Sequence, residues 1–473
     1  MRTPARADRA VDEPELLEPI GAEAARAERL PTVAIVGRPN VGKSTLFNRL
    51  IGRRSALVHE RPGMTRDRRI ERVEWGKQTF ALVDTGGFDT ELDDPLLEDV
   101  VEQASIAIEQ ADAIVLLTAV GEARHPAERA LIERVRRSGK PIVVAVNKCD
   151  NPKLEHEAAD YHQYGFDEVH SISALHGRGM DDMVEALALK LEGVEPEGEH
   201  LTGGLRLAVV GRQNVGKSSL INRILGEERV IAGDLPGTTR DAIDTTFRTP
   251  AGDVFTLIDT AGIRRRGKIE RGIEKICALS SVLAIRRADV AAIVVDGSQG
   301  LTAQDAHIAG MCIDEGVGCM LVVNKWDMVE KDGKTADRFT KTMEREWPFL
   351  KWAPVVYTSA ISGQRVGRVL EVAKRIHRNA GRRIPTARLN QLLEEWIRRK
   401  PPAARKGRTP RIRYVSQARI HPPTFVLFTT APELIHFSYQ RHLVNRLRGV
   451  EDFEGTPIRL ILRQTSTREK KER

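Results

Sequence analysis

An octet in this 473-residue chain occurs twice: Gly37 to Ser44 reads GRPNVGKS, and Gly211 to Ser218 reads GRQNVGKS. The segment Pro62-Gly63-Met64-Thr65-Arg66-Asp67 likewise returns as Pro236-Gly237-Thr238-Thr239-Arg240-Asp241. Asp84-Thr85-Gly86-Gly87 returns as Asp259-Thr260-Ala261-Gly262, Asn147-Lys148-Cys149-Asp150 as Asn324-Lys325-Trp326-Asp327, and Ser173-Ala174 as Ser359-Ala360, always in the same order. Solenoid repeats have periods of about 20 to 50 residues, so a repeat this long is a duplicated domain, and each copy must bury its own core.

Within a copy, short apolar runs alternate with longer polar and amphipathic stretches. In the first copy the runs are Val33 to Val36, Phe80 to Val83, Ala113 to Leu117 and Ile142 to Val146. That alternation predicts an α/β domain: a mainly parallel sheet with helices on both faces and motifs at the carboxyl ends of the strands. The copies are expected at 31–191 and 205–380. The acidic, Gly-containing stretch 192–204 (EGVEPEGEHLTGG) reads as a linker. Residues 1–30, rich in Ala, Arg and Glu, lack the apolar region of a signal peptide and read as a disordered extension, with a short helix over Glu15 to Leu30 as the alternative.

The octet fits G-x-x-x-x-G-K-[ST] between an apolar strand and a helix-like stretch, the context in which that pattern cradles phosphates. Average residue usage gives roughly 0.02 chance matches in a chain of this length. Gly37 and Gly211 open the loops, and the amides of Asn40, Val41, Gly42, Lys43, Ser44 and Thr45, or of Asn214, Val215, Gly216, Lys217, Ser218 and Ser219, would face the anion. Lys43 and Lys217 would neutralise β and γ oxygens. Oxygen donors for Mg²⁺ are expected from Ser44 and Ser218, from Asp84 and Asp259, and from the loop residues Thr65 and Thr239, which would join when a third phosphate is present. Gly87 and Gly262 would offer amides to that phosphate. Asp150 and Asp327 can each accept two hydrogen bonds from a base carrying the N1 and exocyclic amine donors of guanine, which adenine lacks. Asn147, Lys148, Asn324 and Lys325 complete these base-reading segments, and Ser173-Ala174 and Ser359-Ala360 would supply an amide to the guanine carbonyl. The chemistry predicted is hydrolysis of GTP to GDP and phosphate in two tandem P-loop GTPase domains, with Lys43, Thr65, Gly87, Lys217, Thr239 and Gly262 acting at the γ-phosphate.

These motifs resemble the tandem-domain bacterial GTPases called Der or EngA, within a group that includes Era and the tRNA-modifying GTPase MnmE. The resemblance runs from about Pro31 to Arg463 and includes Pro422 to Phe428, Ser438-Tyr439, Asn445 to Arg448 and Gly455 to Leu460. It implies that 381–473 is a small α+β KH-like domain and that the protein acts in large ribosomal subunit assembly. It also implies potassium at Asn40 and Asn214, where an added cation would stabilise charge between the β and γ phosphates. The residues after the two DxxG motifs are Phe88 and Ile263, which cannot orient a water as glutamine does, so slow intrinsic turnover is expected.

From Gly381 to Arg473 there are 21 Lys and Arg against 8 Asp and Glu, so this segment carries +13 of a chain whose net charge is +8. Runs such as Arg398-Arg399-Lys400, Arg405-Lys406 and Arg408 point to a polyanion, and ribosomal RNA is the expected partner. The segment has no GXXG tetrapeptide, the backbone grip of typical KH domains. Phe425, Phe428, Phe437 and Tyr439 could stack on bases, but their alternating placement in strand-like runs favours core packing. Four cysteines without CxxC spacing suit a reduced cytoplasmic protein, expected to be a monomer, and no apolar run is long enough to span a membrane. Two other readings are weighed. A component of a tRNA-modification complex related to MnmE would carry a C-terminal cysteine motif, and the tail here has none. A membrane-remodelling GTPase would need a lipid-binding segment, and none stands out.

Overall fold

The computed structural model describes residues 30–52, 70–75, 78–85, 104–105, 107–120, 126–151, 154–166, 168–194, 204–226, 244–258, 273–330, 332–404 and 408–465. The helix expected at Glu15 to Leu30 and most of the linker lie outside them.

The first sheet is built from β1 (Thr32–Val36), β2 (Ile70–Trp75), β3 (Gln78–Asp84), β4 (Ala113–Ala119), β5 (Ile142–Asn147) and β6 (Val169–Ser171) in the order β2-β3-β1-β4-β5-β6. Only the β2/β3 hairpin is antiparallel. The second sheet contains β7 (Leu205–Val210), β8 (Thr245–Arg248), β9 (Val254–Ile258), β10 (Val290–Asp296), β11 (Gly318–Asn324) and β12 (Val355–Tyr357). Its order, β8-β9-β7-β10-β11-β12, repeats the first strand for strand.

Helices cover both faces of each sheet, which is why the central strands are apolar along their whole length: every residue of β1, β4 and β10 is buried. Alternate residues of β1 serve opposite cores. Val33 and Ile35 join one apolar cluster with Leu46 and Phe47, whereas Ala34 and Val36 join the other with Leu131 and Tyr161. Among the described residues, the longer helices of the first copy are α1 (Lys43–Gly52), α2 (Pro126–Arg137) and α3 (Met180–Lys190). Those of the second are α4 (Lys217–Gly226), α5 (Ile273–Arg287), α6 (Ala303–Glu315), α7 (Thr335–Glu346) and α8 (Gly367–Ala380).

The C-terminal unit is α+β. Strands β13 (Ile412–Arg419), β14 (Thr424–Thr429) and β15 (Arg459–Gln464) form one sheet, with β14 antiparallel to β13 and parallel to β15. Helices α9 (Thr386–Arg399) and α10 (Phe437–Arg448) contribute Leu389, Leu393 and Trp396, and Leu443 and Leu447, to a core shared with Val415, Phe425 and Leu427. Phe425 is buried as expected, but Phe437 and Tyr439 stand on a helix rather than a strand. Phe437 is exposed, and Phe428 is only partly buried, stacked on Tyr414 at 4.2 Å between centroids. The core reading therefore fails for Phe437: His436 begins a helix there by accepting a bond from the Ser438 amide, and the ring falls on the solvent side.

This unit is fastened to the second GTPase copy. The Gly455 carbonyl accepts the Cys319 amide at 2.7 Å, and the Gly455 amide donates to the Trp352 carbonyl at 2.8 Å. Gly455 has φ 75°, and a Cβ there would lie 2.3 Å from Ile376 Cγ1, so both conformation and space demand glycine. The Arg448 guanidinium lies 4.7 Å from the Trp352 ring centroid, and burial lowers its pKa to about 10.

Candidate functional site

The phosphate-binding octets fall where strand gives way to helix, between β1 and α1 and between β7 and α4. Asn40 and Asn214 adopt left-handed φ of 63° and 61°, and Gly42 and Gly216 have φ of 100° and 96°. A Cβ on Gly42 would lie 2.3 Å from Asn147 Nδ2, and one on Gly216 would lie 2.2 Å from Asn324 Nδ2. Glycine is required here because another element presses on the loop. Lys43 Nζ donates to the carbonyls of Gly37 and Arg38, both at 2.8 Å, and Lys217 Nζ donates to those of Gly211 at 2.7 Å and Arg212 at 2.5 Å. Each ammonium thus stands across its own loop. Neither α1 nor α4 has an acidic residue in its first turn, so the positive ends of both helix dipoles point at the loops.

Besides standing in the base-reading segments, Asn147 and Asn324 each join two loops of the protein. Asn147 Nδ2 donates to the Val41 carbonyl at 2.8 Å, and its Oδ1 accepts the Ala174 amide at 2.9 Å. Asn324 repeats this with the Val215 carbonyl at 2.9 Å and the Ala360 amide at 3.0 Å. Each side chain ties the phosphate loop to the Ser-Ala loop. Asp150 and Asp327 remain exposed at the mouth. Ser173 Oγ donates to Asp150 Oδ1 at 2.7 Å, orienting that carboxylate, while Ser359 Oγ accepts the Ser362 amide at 3.2 Å. Lys148 and Lys325 are left-handed, with φ of 67° and 56°.

Two residues escaped the sequence reading. Arg49 of α1 donates to the carbonyls of Ala174, at 2.9 Å, and Leu175. Arg223 of α4 does the same to Ala360, at 3.1 Å, and Ile361. They hold the base-side loop from beneath. The signal was in the sequence, because Asn48-Arg49 and Asn222-Arg223 continue the repeat beyond the octet.

For a divalent cation the first copy offers oxygen donors of the right kind. Ser44 is exposed in the first turn of α1, and Asp84 is buried at the end of β3, paired in register with Ile35 just before the phosphate loop. A hydroxyl and a carboxylate are both oxygen donors, which suit a hard ion such as Mg²⁺. Ser218 is placed like Ser44, and Thr45 and Ser219 follow on the same exposed turns. Asp259, Thr65, Thr239, Gly87 and Gly262 lie outside the described residues. No helix among the described residues is long and apolar enough to cross a membrane.

A mainly parallel sheet with a phosphate loop after a central strand and a base-side clamp two strands further along, present twice, defines a tandem P-loop GTPase. The family model described as "50S ribosome-binding GTPase" matches residues 32–148 and again 206–325. Residues 278–379 match the elongation factor Tu GTP-binding domain, and 383–463 the KH-domain-like C-terminal part of EngA bacterial GTPase enzymes. The chain is 45% identical over 442 residues to the GTPase Der of Geobacter metallireducens, spanning 93% of this chain and 100% of that one. It is likewise 45% identical to the Lactobacillus johnsonii GTPase Der, across 92% of this chain and 99% of the relative. The chain belongs to the GTPase Der family: it is a GTP-binding, GTP-hydrolysing protein with two GTPase domains and a KH-like C-terminal domain.

Proposed function

We propose that this GTPase acts in assembly of the large ribosomal subunit, with GTP in its two domains controlling how the basic C-terminal domain docks on ribosomal RNA. The observation that carries this reading is the fastening of that domain to the second GTPase domain through Gly455, which couples a nucleotide site to a cationic surface. Arg398, Arg399 and Lys400 are exposed at the end of α9, while the apolar side of that helix is buried, so the charges face outward. The description of the matching GTPase family as ribosome-binding supports the same partner.

The domains divide at 31–191, 205–380 and 381–473. In each GTPase domain Asp150 or Asp327 reads guanine, and Ser44, Thr65 and Asp84, or Ser218, Thr239 and Asp259, would hold Mg²⁺, which would supply positive charge to the phosphates. Asn40 and Asn214, turned outward by left-handed backbone, offer side-chain oxygens to K⁺. Intrinsic turnover is slow because Phe88 and Ile263 cannot hold water. Equal rates in sodium and potassium would remove K⁺ from this reading.

The deciding experiment is co-sedimentation of the full chain with ribosomal subunits in a non-hydrolysable GTP analogue, in GDP and without nucleotide, beside a variant with Arg398, Arg399 and Lys400 all changed to Glu. The expected result is nucleotide-dependent pelleting with large subunits that the variant loses. Pelleting in no state would redirect the search to another RNA.

A further inference from the structure

The two nucleotide sites differ at one register position. Pairing of β10 with β11 sets Asp296 opposite Asn324, and pairing of β4 with β5 sets Ala119 opposite Asn147. The same point in the fold therefore carries a carboxylate in the second domain and a methyl group in the first.

Asp296 is 1% exposed, and both its oxygens are engaged. Oδ1 accepts the Ser298 amide at 2.9 Å and the Ser298 hydroxyl at 2.6 Å, closing the turn after β10. Oδ2 lies 2.7 Å from Lys325 Nζ. Burial by itself would raise the Asp296 pKa, but the bonds from Lys325 and Ser298 outweigh it and hold the carboxyl below its ordinary value, so it is ionised at neutral pH. The two oxygens have separable tasks, one for the turn and one for the lysine. With its ammonium fixed on β10 and its backbone fixed at φ 56°, the Lys325 stem has both ends held. Lys148 has the same backbone twist, φ 67°, but is exposed, and the register position that holds the Asp296 carboxylate in the second domain is Ala119 in the first.

We propose that Asp296 is a positioning residue for the second guanine site, holding the Lys325 stem ready as a flat apolar wall beside the base, and that the first site, with Ala119, must order its lysine each time nucleotide binds. This rests on the reading of Asn324 to Asp327 as the base-recognition segment. A lysine side chain gives up roughly 1.5 to 2 kcal/mol of rotamer freedom when fixed. Held in advance, most of that cost is removed from the binding step, a factor of about ten in affinity.

The test uses the full chain and fluorescent GDP, with Asp150→Ala silencing the first site while the second is measured. Asp296→Asn keeps an oxygen for the Ser298 turn and abolishes the ion pair, so it isolates the lysine task. The expected result is about tenfold faster GDP release from the second site, measured well below the melting temperature of either chain, and no further loss when Asp296→Asn is added to Lys325→Ala. In the reciprocal background, with Asp327→Ala silencing the second site, Lys148→Ala should cost the first site about tenfold less than Lys325→Ala costs the second. Unchanged release in Asp296→Asn, a full Asp296→Asn effect persisting without Lys325, or equal costs for the two lysines would each overturn the proposal. Unaltered second-site binding in Asp327→Ala would instead overturn the base-site reading beneath it.

Discussion

At the scale of single residues, the two asparagines show how a motif can be legible while the job of its members is not. Asn147 and Asn324 read as members of the base-reading segments because they precede Lys-x-Asp, and one donor hydrogen and the oxygen of each amide also tie two protein loops together. No spacing rule could reveal that, since the partners Val41 and Ala174 lie 106 and 27 residues away. Asn147→Ala leaves a buried carbonyl and a buried amide unpaired, each worth about 1 to 3 kcal/mol. The first domain should lose about 2 to 6 kcal/mol in denaturant unfolding together with its nucleotide affinity. Asp296 gives a pH signature. Its folded-state pKa lies below the unfolded one, so its contribution to stability is present above the unfolded carboxylate value of about 3.9 and is lost as pH falls through the lower folded value. Melting temperatures of the native chain and of Asp296→Asn should therefore differ at neutral pH and converge below about pH 4.

Elements were legible in proportion to their burial. Strands β1, β4 and β10 are covered on both faces and announce themselves as unbroken apolar runs. The edge strand β2, IERVEW, in which Val73 is the one buried residue, carries no such run. Helix starts were harder, because a cap is one side chain. At α6, Thr302 accepts the Asp305 amide at 3.3 Å while Asp305 Oδ2 receives the Thr302 amide at 3.2 Å, a reciprocal pair that also brings the buried Asp305 carboxylate to 3.5 Å from Arg212 of the second phosphate loop. Burial raises the Asp305 pKa in spite of these bonds. Thr302→Ala removes the cap and should cost the second domain about 1 kcal/mol in chemical denaturation. Because Arg212 belongs to the phosphate loop, GDP release from that domain should quicken as well, and unchanged release would show that the cap is local to the helix.

For the whole molecule, the repeat predicted two mainly parallel sheets of one kind, since a duplicated pattern of burial builds the same layers twice, and the structure adds that their strand orders match. The joint between the second GTPase domain and the KH-like domain was not legible, because it depends on Gly455, one glycine among 38. Gly455→Ala would drive a methyl group into Ile376 at 2.3 Å and force a left-handed φ on alanine. We expect a loss of about 1 to 3 kcal/mol and a lowered Tm for the unit formed by the second GTPase domain and the KH-like domain, measured by calorimetry.

Strand β11 gives that joint a further meaning. One end is Asn324, the clamp of the second guanine site, and the other is Gly318-Cys319, bonded to Gly455. Seven residues at about 3.3 Å each make a stiff strut of some 20 Å between them. A shift of the clamp when nucleotide enters or leaves has little slack to absorb it along that strut, so the exposed arginines of α9 would swing as the far end of a lever whose pivot is buried in the sheet.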